Sequence, residues 1–337
     1  MAARATNLQH LIDQARTFEP TRIAVADAAQ GVVLETLREA HALGFVEPRL
    51  VGEVEAITQL CKTIGWNVAQ DWIVSAATDA TGAPVAAKAV ELVRAGEADA
   101  VMKGHIHTDA LMHALLDKDQ GLRVPGRRVS HVFVIELPSH PRLLGITDAA
   151  INIAPDLNAK AQILQNAIEF FHLLGIETPK VAVLSAVETV NPAISSTLDA
   201  ACLTLMARRG QITGAIVDGP LAFDNAISRQ AAEEKGICSP VAGDADILLV
   251  PDLVSGNILA KDLEYLAGAA LAGIALGMAA PVVLTSRADP APARLASLAL
   301  AALMHHRMQK TRPASKPPES SPHSAPQPEH ACCPMPV

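Results

Sequence analysis

The stretch A-D-A-V-M-K-G-H-I-H-T-D-A-L-M-H-A-L-L, residues 98–116, joins two structural signals. Residues 98–103 form an apolar run of strand length that ends on Lys103 and Gly104, and residues 108–116 have helical composition. The same alternation recurs on both sides. Val- and Ile-rich runs lie at 23–28, 73–76, 132–137, 143–147, 181–185, 215–217, 247–250 and 282–285. Helix-like segments at 31–43, 85–95, 158–174 and 192–209 separate most of them. Strands alternating with helices predict an α/β protein with mostly parallel sheet, because parallel strands need long crossovers and are buried on both faces.

One connection breaks the pattern. The runs at 132–137 and 143–147 are joined only by Pro138-Ser139-His140-Pro141-Arg142, too short for a crossover, so an antiparallel hairpin is expected. Polar or small residues follow the runs with regularity: Lys103-Gly104, Thr147-Asp148, Asp218-Gly219-Pro220, Pro251-Asp252 and Thr285-Ser286-Arg287. Ligands of open α/β sheets bind beyond the carboxyl ends of strands, so five such tips on one sheet edge would mark a site. Taken singly, each tip also reads as a turn or a helix cap.

The chain has 337 residues, 50% hydrophobic and 3% aromatic, with a net charge of −8. That length suggests two domains or one large one. Nucleic acid is not expected as a partner, since phosphate backbones call for a basic stripe and bases for aromatic platforms. The cysteines at 61, 202, 238, 332 and 333 are odd in number and lack C-x-x-C spacing, which fits free thiols in a reducing cytoplasm. Residues 1–10 contain no apolar signal-peptide core. Residues 265–286 are uncharged and long enough to span a bilayer, but they are dominated by Ala and Gly and interrupted by Pro281. A buried Ala-rich helix followed by a core strand is expected there rather than a membrane span. Residues 311–337 hold eight of the 23 prolines and form a tail expected to be disordered. Its Cys332, Cys333, His323 and His330 match no zinc spacing.

No G-x-G-x-x-G, P-loop, nucleophile elbow or H-E-x-x-H occurs. His105-Ile106-His107 alternates as a strand edge would, and no third ligand for a metal lies nearby. What remains are positions suited to phosphate. Lys103 brings a point charge and Gly104 allows close backbone approach, while Thr108 adds a hydroxyl at a helix start. Arg123, Arg127 and Arg128 share a loop, and Ser286-Arg287 follows an apolar strand directly, with Asp289 two residues on.

From about residue 98 to 299 the chain resembles the phosphate acetyltransferase and phosphate butyryltransferase family. The matching stretches are V-M-K-G from Val101, S-H-V-F-V-I-E from Ser130 and G-I-T-D-A-A-I-N-I-A-P from Gly145. They continue with V-D-G-P-L-A-F-D-N-A from Val217, A-D-I-L-L-V-P-D-L-V-S-G-N from Ala245 and P-V-V-L-T-S-R-A-D from Pro281. The resemblance implies two α/β domains with a cleft between them, the fold of isocitrate and isopropylmalate dehydrogenases. The first domain would comprise residues 1–138 plus 285–310 and the second 139–284. It also implies a homodimer, which the cysteine pattern would place in the cytoplasm, that moves a short acyl group between coenzyme A and inorganic phosphate. Acyl-CoA, acyl phosphate and phosphate would be its partners, and coenzyme A a substrate, with no metal and no bound cofactor.

That reaction needs a deprotonated thiol, a stabilised oxyanion and a held phosphate. Carried over from the family's S-R motif, Asp289 is the candidate base, Arg287 the charge stabiliser and Ser286 a positioning group. The S-R-A-D form is similar to the butyryl branch; the acetyl branch has a longer S-R-G-type segment and a base further along, where this chain has Ala293. Lys103, Gly104, Thr108 and Arg128 would bind phosphate, and Asp218, Asp224 and Asn257 are family-motif positions assigned to the substrate cleft. A metal-dependent dehydrogenase of the same fold is the alternative, but it would need carboxylates one helical turn apart, and no D-x-x-x-D occurs. A degenerate, coenzyme A-binding member is the non-enzymatic alternative.

Overall fold

The computed structural model describes residues 5–284 and 289–311. Among them eleven strands form one sheet: β1 (Thr21–Ala26), β2 (Val46–Gly52), β3 (Ile73–Ser75), β4 (Ala100–Lys103), β5 (Ser130–Glu136), β6 (Leu144–Thr147), β7 (Lys180–Leu184), β8 (Ile216–Leu221), β9 (Ile247–Leu249), β10 (Ala270–Leu276) and β11 (Val282–Val283). Their order across the sheet is β3-β2-β1-β4-β11-β10-β5-β6-β9-β7-β8. Helices α1 (Leu8–Ala15), α2 (Gly31–Ala42), α3 (Val54–Thr63), α4 (Ala83–Arg94), α5 (Thr108–Leu116) and α6 (Leu157–Leu173) cover it. So do α7 (Ser195–Arg208), α8 (Phe223–Ile227), α9 (Arg229–Glu234), α10 (Leu253–Tyr265) and α11 (Ala291–Thr311). The fold is mixed α/β with a large, mostly parallel sheet, as the alternating pattern predicts.

The expected hairpin is present: β5 pairs antiparallel with β6 from Val132↔Thr147 to Ile135↔Leu144. β5 is also antiparallel to β10, and β10 to β11, whereas β11 is parallel to β4. Strand direction therefore reverses across the middle of the sheet. β4 and β11 run one way, β6, β7, β8 and β9 the other. The tips of β4, β6 and β9 consequently do not share one edge, contrary to expectation, and Thr285-Ser286-Arg287 lies outside the described residues. The tips of β4 and β6 instead approach the same level of β5 from opposite directions.

In the segment 265–286 the expected core strand is present as β11, but the expected Ala-rich helix is not. Its Ala-rich part, Ala270–Leu276, is a strand, paired with β5 at every residue. Helix propensity is worth under about 1 kcal/mol per residue and yields to burial on both faces of a sheet. Small side chains suit the position: α11 lies across one face, where the Ser297 hydroxyl accepts a hydrogen bond of 3.0 Å from the Gly273 N–H. His105-Ile106-His107 is likewise not a strand. β4 stops at Lys103, and the N–H groups of Gly104 and His105 turn back to donate to the carbonyls of Ala26 and Asp27 at 2.9 and 2.8 Å. Asp218-Gly219-Pro220 lies inside β8 rather than beyond it, and α7 starts at Ser195, later than expected. Among the described residues no helix is long and apolar enough to cross a membrane. The proline-rich tail beyond Thr311, with Cys332 and Cys333, lies outside the described residues.

The two faces of the sheet are packed differently. On one face a single core runs from α1, α2 and α3 through α11 to α6 and α7. On the other, α4 and α5 build one cluster over β1 and β4, and α8, α9 and α10 build a separate one over β6, β7 and β9. The gap between those clusters lies over β5 and β10.

An ion pair ties β1 to the start of β4. Arg22 donates two guanidinium bonds to Asp99, at 2.6 and 3.0 Å, and its backbone N–H adds a third at 2.9 Å. Burial of the Asp99 carboxyl opposes its ionisation, but the Arg22 hydrogen bonds outweigh this and hold its pKa below the ordinary carboxylate range. A depressed folded pKa contributes stability above the unfolded value of about 3.9, and that contribution is lost as pH falls toward the folded one. Asp99→Asn is therefore expected to destabilise the protein at neutral pH, with the gap from wild type closing below about pH 4. Urea unfolding across pH reads it directly.

Candidate active site

The gap between the two clusters holds a cavity of about 590 Å³. Lys103, at the end of β4, and Ile106, His107 and Thr108 from the turn into α5 form one wall. His131 and Phe133 on β5 and Leu271 on β10 belong to the sheet beneath. Ala149 and Ala150 follow β6, and Leu253, Asn257, Lys261 and Glu264 project from α10. Leu284 and Asp289 complete the lining.

Register explains why these groups meet. Val101, Val282, Ala275 and His131 occupy one row across four strands and so share a face of the sheet. Lys103, two residues beyond Val101, points the same way, as does Phe133, two beyond His131. On α10, Asn257, Lys261 and Glu264 follow i, i+4, i+7 spacing and present one helical face. That helix is fixed at its start by Asp252, whose carboxylate accepts a 2.8 Å bond from the Ser255 N–H, and by Asn257, whose amide donates to the Ala149 carbonyl at 3.3 Å.

The charges are mixed. Lys103 is only 6% exposed, a buried cation at a strand tip. Lys261 pairs with Glu264 at 2.6 Å; burial disfavours its charge, but Glu264 and then Asp289 outweigh this and raise its pKa. The backbone carbonyl of Asp289 accepts a hydrogen bond from Arg294, whose guanidinium also donates to the Thr36 hydroxyl at 2.9 Å. The main chain at Asp289 is thereby tied to the first turn of α11. The His131 imidazole is neutral at pH 7, since burial, only partly offset by Asp148, lowers its pKa to about 4.

The cavity thus gathers Lys103, Thr108, Asn257 and Asp289 of the residues expected from sequence. Gly104 does not line it; a Cβ there would sit 2.0 Å from the Asp27 carbonyl oxygen, so this glycine serves backbone packing between β1 and β4. Arg128 lies on the loop before β5 and donates to the Asn152 side chain at 3.1 Å. Asp218 and Asp224 belong to β8 and α8 at the far edge of the sheet, where Asp224 pairs with Lys235 at 2.9 Å. Ser286 and Arg287 fall outside the described residues. His131, Phe133, Lys261 and Glu264 were not anticipated, although the alternation of S-H-V-F and the helical spacing of the last two carry the signal. Among the described residues no three His, Cys, Asp or Glu side chains cluster as a metal site would require.

A buried lysine at a strand tip, a helix start and a carboxylate facing one another across a two-sided cavity suit an anionic substrate and a proton acceptor. The model of the family described as Phosphate acetyl/butaryl transferase matches residues 76–302. The chain belongs to that family. Phosphate acetyltransferase of Rhizobium meliloti is 47% identical over 93% of this chain and 98% of its own length. Phosphate butyryltransferase of Clostridium acetobutylicum is 44% identical over 88% of this chain and 98% of its own. Among solved structures, a branched-chain phosphotransacylase from Enterococcus faecalis superposes with a TM-score of 0.73 at 32% identity, covering 85% of this chain and 99% of that one. The family match takes in β4 through most of α11 and hence every element lining the cavity of this phosphate acyltransferase.

Proposed function

We propose that the cavity between the α4–α5 and α8–α10 clusters is where this acyltransferase passes a short acyl group between coenzyme A and inorganic phosphate. The meeting of Lys103 and Asp289 in one cavity, within a chain of this family, carries the reading. In the direction of thioester synthesis the coenzyme A thiol loses its proton, the thiolate attacks the acyl carbon, and the carbon–oxygen bond to phosphate breaks with phosphate leaving. Lys103, with the start of α5 at Thr108, holds the phosphate. Asp289 takes the thiol proton, and the apolar groups Ile106, Phe133, Leu271 and Leu284 receive the acyl chain. Arg287 and Ser286 act on the oxyanion and the phosphate; Leu284 and Asp289, which flank their segment, both line the cavity.

Helices α4 and α5 and helices α8–α10 belong in this reading to two domains, residues 1–138 with 285–310 and residues 139–284, arranged about a dehydrogenase-like cleft. Exposed Leu198 and Leu205 on α7 and Ile216 on the edge strand β8 support pairing into a homodimer. The free thiols of Cys61, Cys202 and Cys238 suit a cytoplasmic protein. Arg128, Asp218 and Asp224 act from outside the cavity, as supports.

Phosphate-dependent release of coenzyme A from acetyl-, propionyl-, butyryl- and branched acyl-CoA tests the reading and orders the acyl groups. No release from any of them would overturn it. Asp289→Asn is expected to lower kcat about a hundredfold at pH 7. Because a free thiol ionises near pH 8.5, that deficit should shrink as pH rises past about 8.5, when base assistance is no longer needed. A deficit constant from pH 6 to 9 would remove Asp289 as the base.

A further inference from the structure

His131 is 1% exposed and lines the cavity, yet among the described residues its buried Nδ1 has no hydrogen-bond partner. An unpaired buried polar atom costs about 1–3 kcal/mol, which an apolar residue of similar size would avoid. The main chain at this position is fully engaged. Its N–H donates to the Asp148 carboxylate at 3.2 Å, and its carbonyl accepts from the Thr147 hydroxyl at 2.8 Å. Asp148 is occupied elsewhere too, accepting from the N–H groups of Ala150 and Ile151 and the amide of Asn152. Phe133 meets the ring edge-on, 4.5 Å between centroids. A Cβ on Gly273 would lie 2.9 Å from Nε2, so glycine leaves the ring its space. The surroundings therefore place an imidazole in the cavity wall and leave its Nδ1 without a partner among the described residues.

We propose that His131 is a catalytic residue of the acyl transfer, donating a hydrogen bond from its imidazole to the acyl carbonyl oxygen as the thiolate adds and negative charge gathers there. The inference rests on the acyl-transfer reading given above. A neutral donor beside Phe133 and Leu271 suits the carbonyl end of the substrate, whereas the phosphate end calls for the cation of Lys103. No proton is transferred; the bond shortens as the oxyanion forms and relaxes as phosphate leaves. Since no described residue holds Nδ1, a half-turn about Cβ–Cγ, which exchanges Nδ1 with Cδ2, breaks no hydrogen bond of that atom.

The test compares wild type with His131→Leu, His131→Asn and His131→Gln, measuring kcat, both KM values and Tm with acyl phosphate and coenzyme A. Removing a donor used only in the transition state lowers kcat about a hundredfold in the leucine variant and leaves KM within about threefold. Its Tm is unchanged or higher, because the unpaired atom is gone. An amide at the Nδ1 position in asparagine, or near Nε2 in glutamine, restores at least about tenfold over leucine in one of the two. His131→Phe takes the place of the leucine variant if that one does not fold. A kcat in the apolar variant within about threefold of wild type overturns the proposal, as do two amide variants no faster than the apolar one. Wild type without turnover would overturn the acyl-transfer reading itself, whereas an active wild type with an unimpaired apolar variant overturns only the role of His131.

Discussion

Replacing Lys103 by Met lowers kcat/KM for acyl phosphate by about a hundredfold to a thousandfold. The methionine keeps the length and apolar stem of the lysine and removes its charge. A largely buried cation acts on phosphate more strongly than one in water, and removing one such group costs about 3–4 kcal/mol of transition-state stabilisation. The position leaves little room for compensation. Lys103 ends β4 in the row next to that of His131, on the face that floors the cavity, and only 6% of it meets solvent. Arginine is not expected to substitute, since its planar fork is larger and needs a different geometry. Steady-state kinetics on a variant with wild-type melting behaviour make the measurement. A loss under about threefold would place phosphate elsewhere.

Gly104→Ala is the second large effect, and it acts through the fold. The new Cβ would lie 2.0 Å from the Asp27 carbonyl oxygen, 2.5 Å from that of Ala26 and 2.8 Å from the Asp27 carbonyl carbon. All three are backbone atoms of the strand end beside β4, so no side chain can swing away. The β4–α5 turn must move, breaking the bonds from Gly104 and His105 to β1. A destabilisation of about 3 kcal/mol or more is expected, at the upper end of the range for overpacking. Activity falls with it because Lys103 and Thr108 flank the turn. Gly31→Ala is the matched control: no atom lies within 4 Å of its added Cβ, and a change within about 0.5 kcal/mol is expected. Denaturant unfolding of both variants reads the contrast.

The architecture was legible wherever burial dictated composition. β1, β4, β5, β6, β7, β9 and β11 are apolar runs because neighbours cover both faces, and the short link at residues 138–142 announced the hairpin. β2 went unread because Glu47, Pro48 and Arg49 interrupt its apolar pattern, and β10 because Ala and Gly favour no strand until β5 pairs with them. If β6 runs against β5, the strands beyond it can reverse as well, and polar tips from the two halves face each other rather than line one edge. Lys103 and Thr108 were visible because strand tips and helix starts collect ligand-binding groups, and Asn257 and Asp289 through the family motifs that contain them. His131 and Phe133 were not, since a mid-strand position looks like core until the gap above it is known. Asp224 lies outside the cavity in an ion pair with Lys235, and sequence does not separate a carboxylate at a sheet edge from one that lines a cavity.

Thioester formation from acyl phosphate and free coenzyme A, followed with wild type and Lys103→Met side by side, tests the central claim most directly. The structure predicts turnover by wild type that saturates in both substrates with at least one of acetyl, propionyl or butyryl phosphate, and near loss of it in the variant. Folded wild-type protein that forms no thioester from any of the three, or a Lys103→Met variant that matches it, would contradict the account.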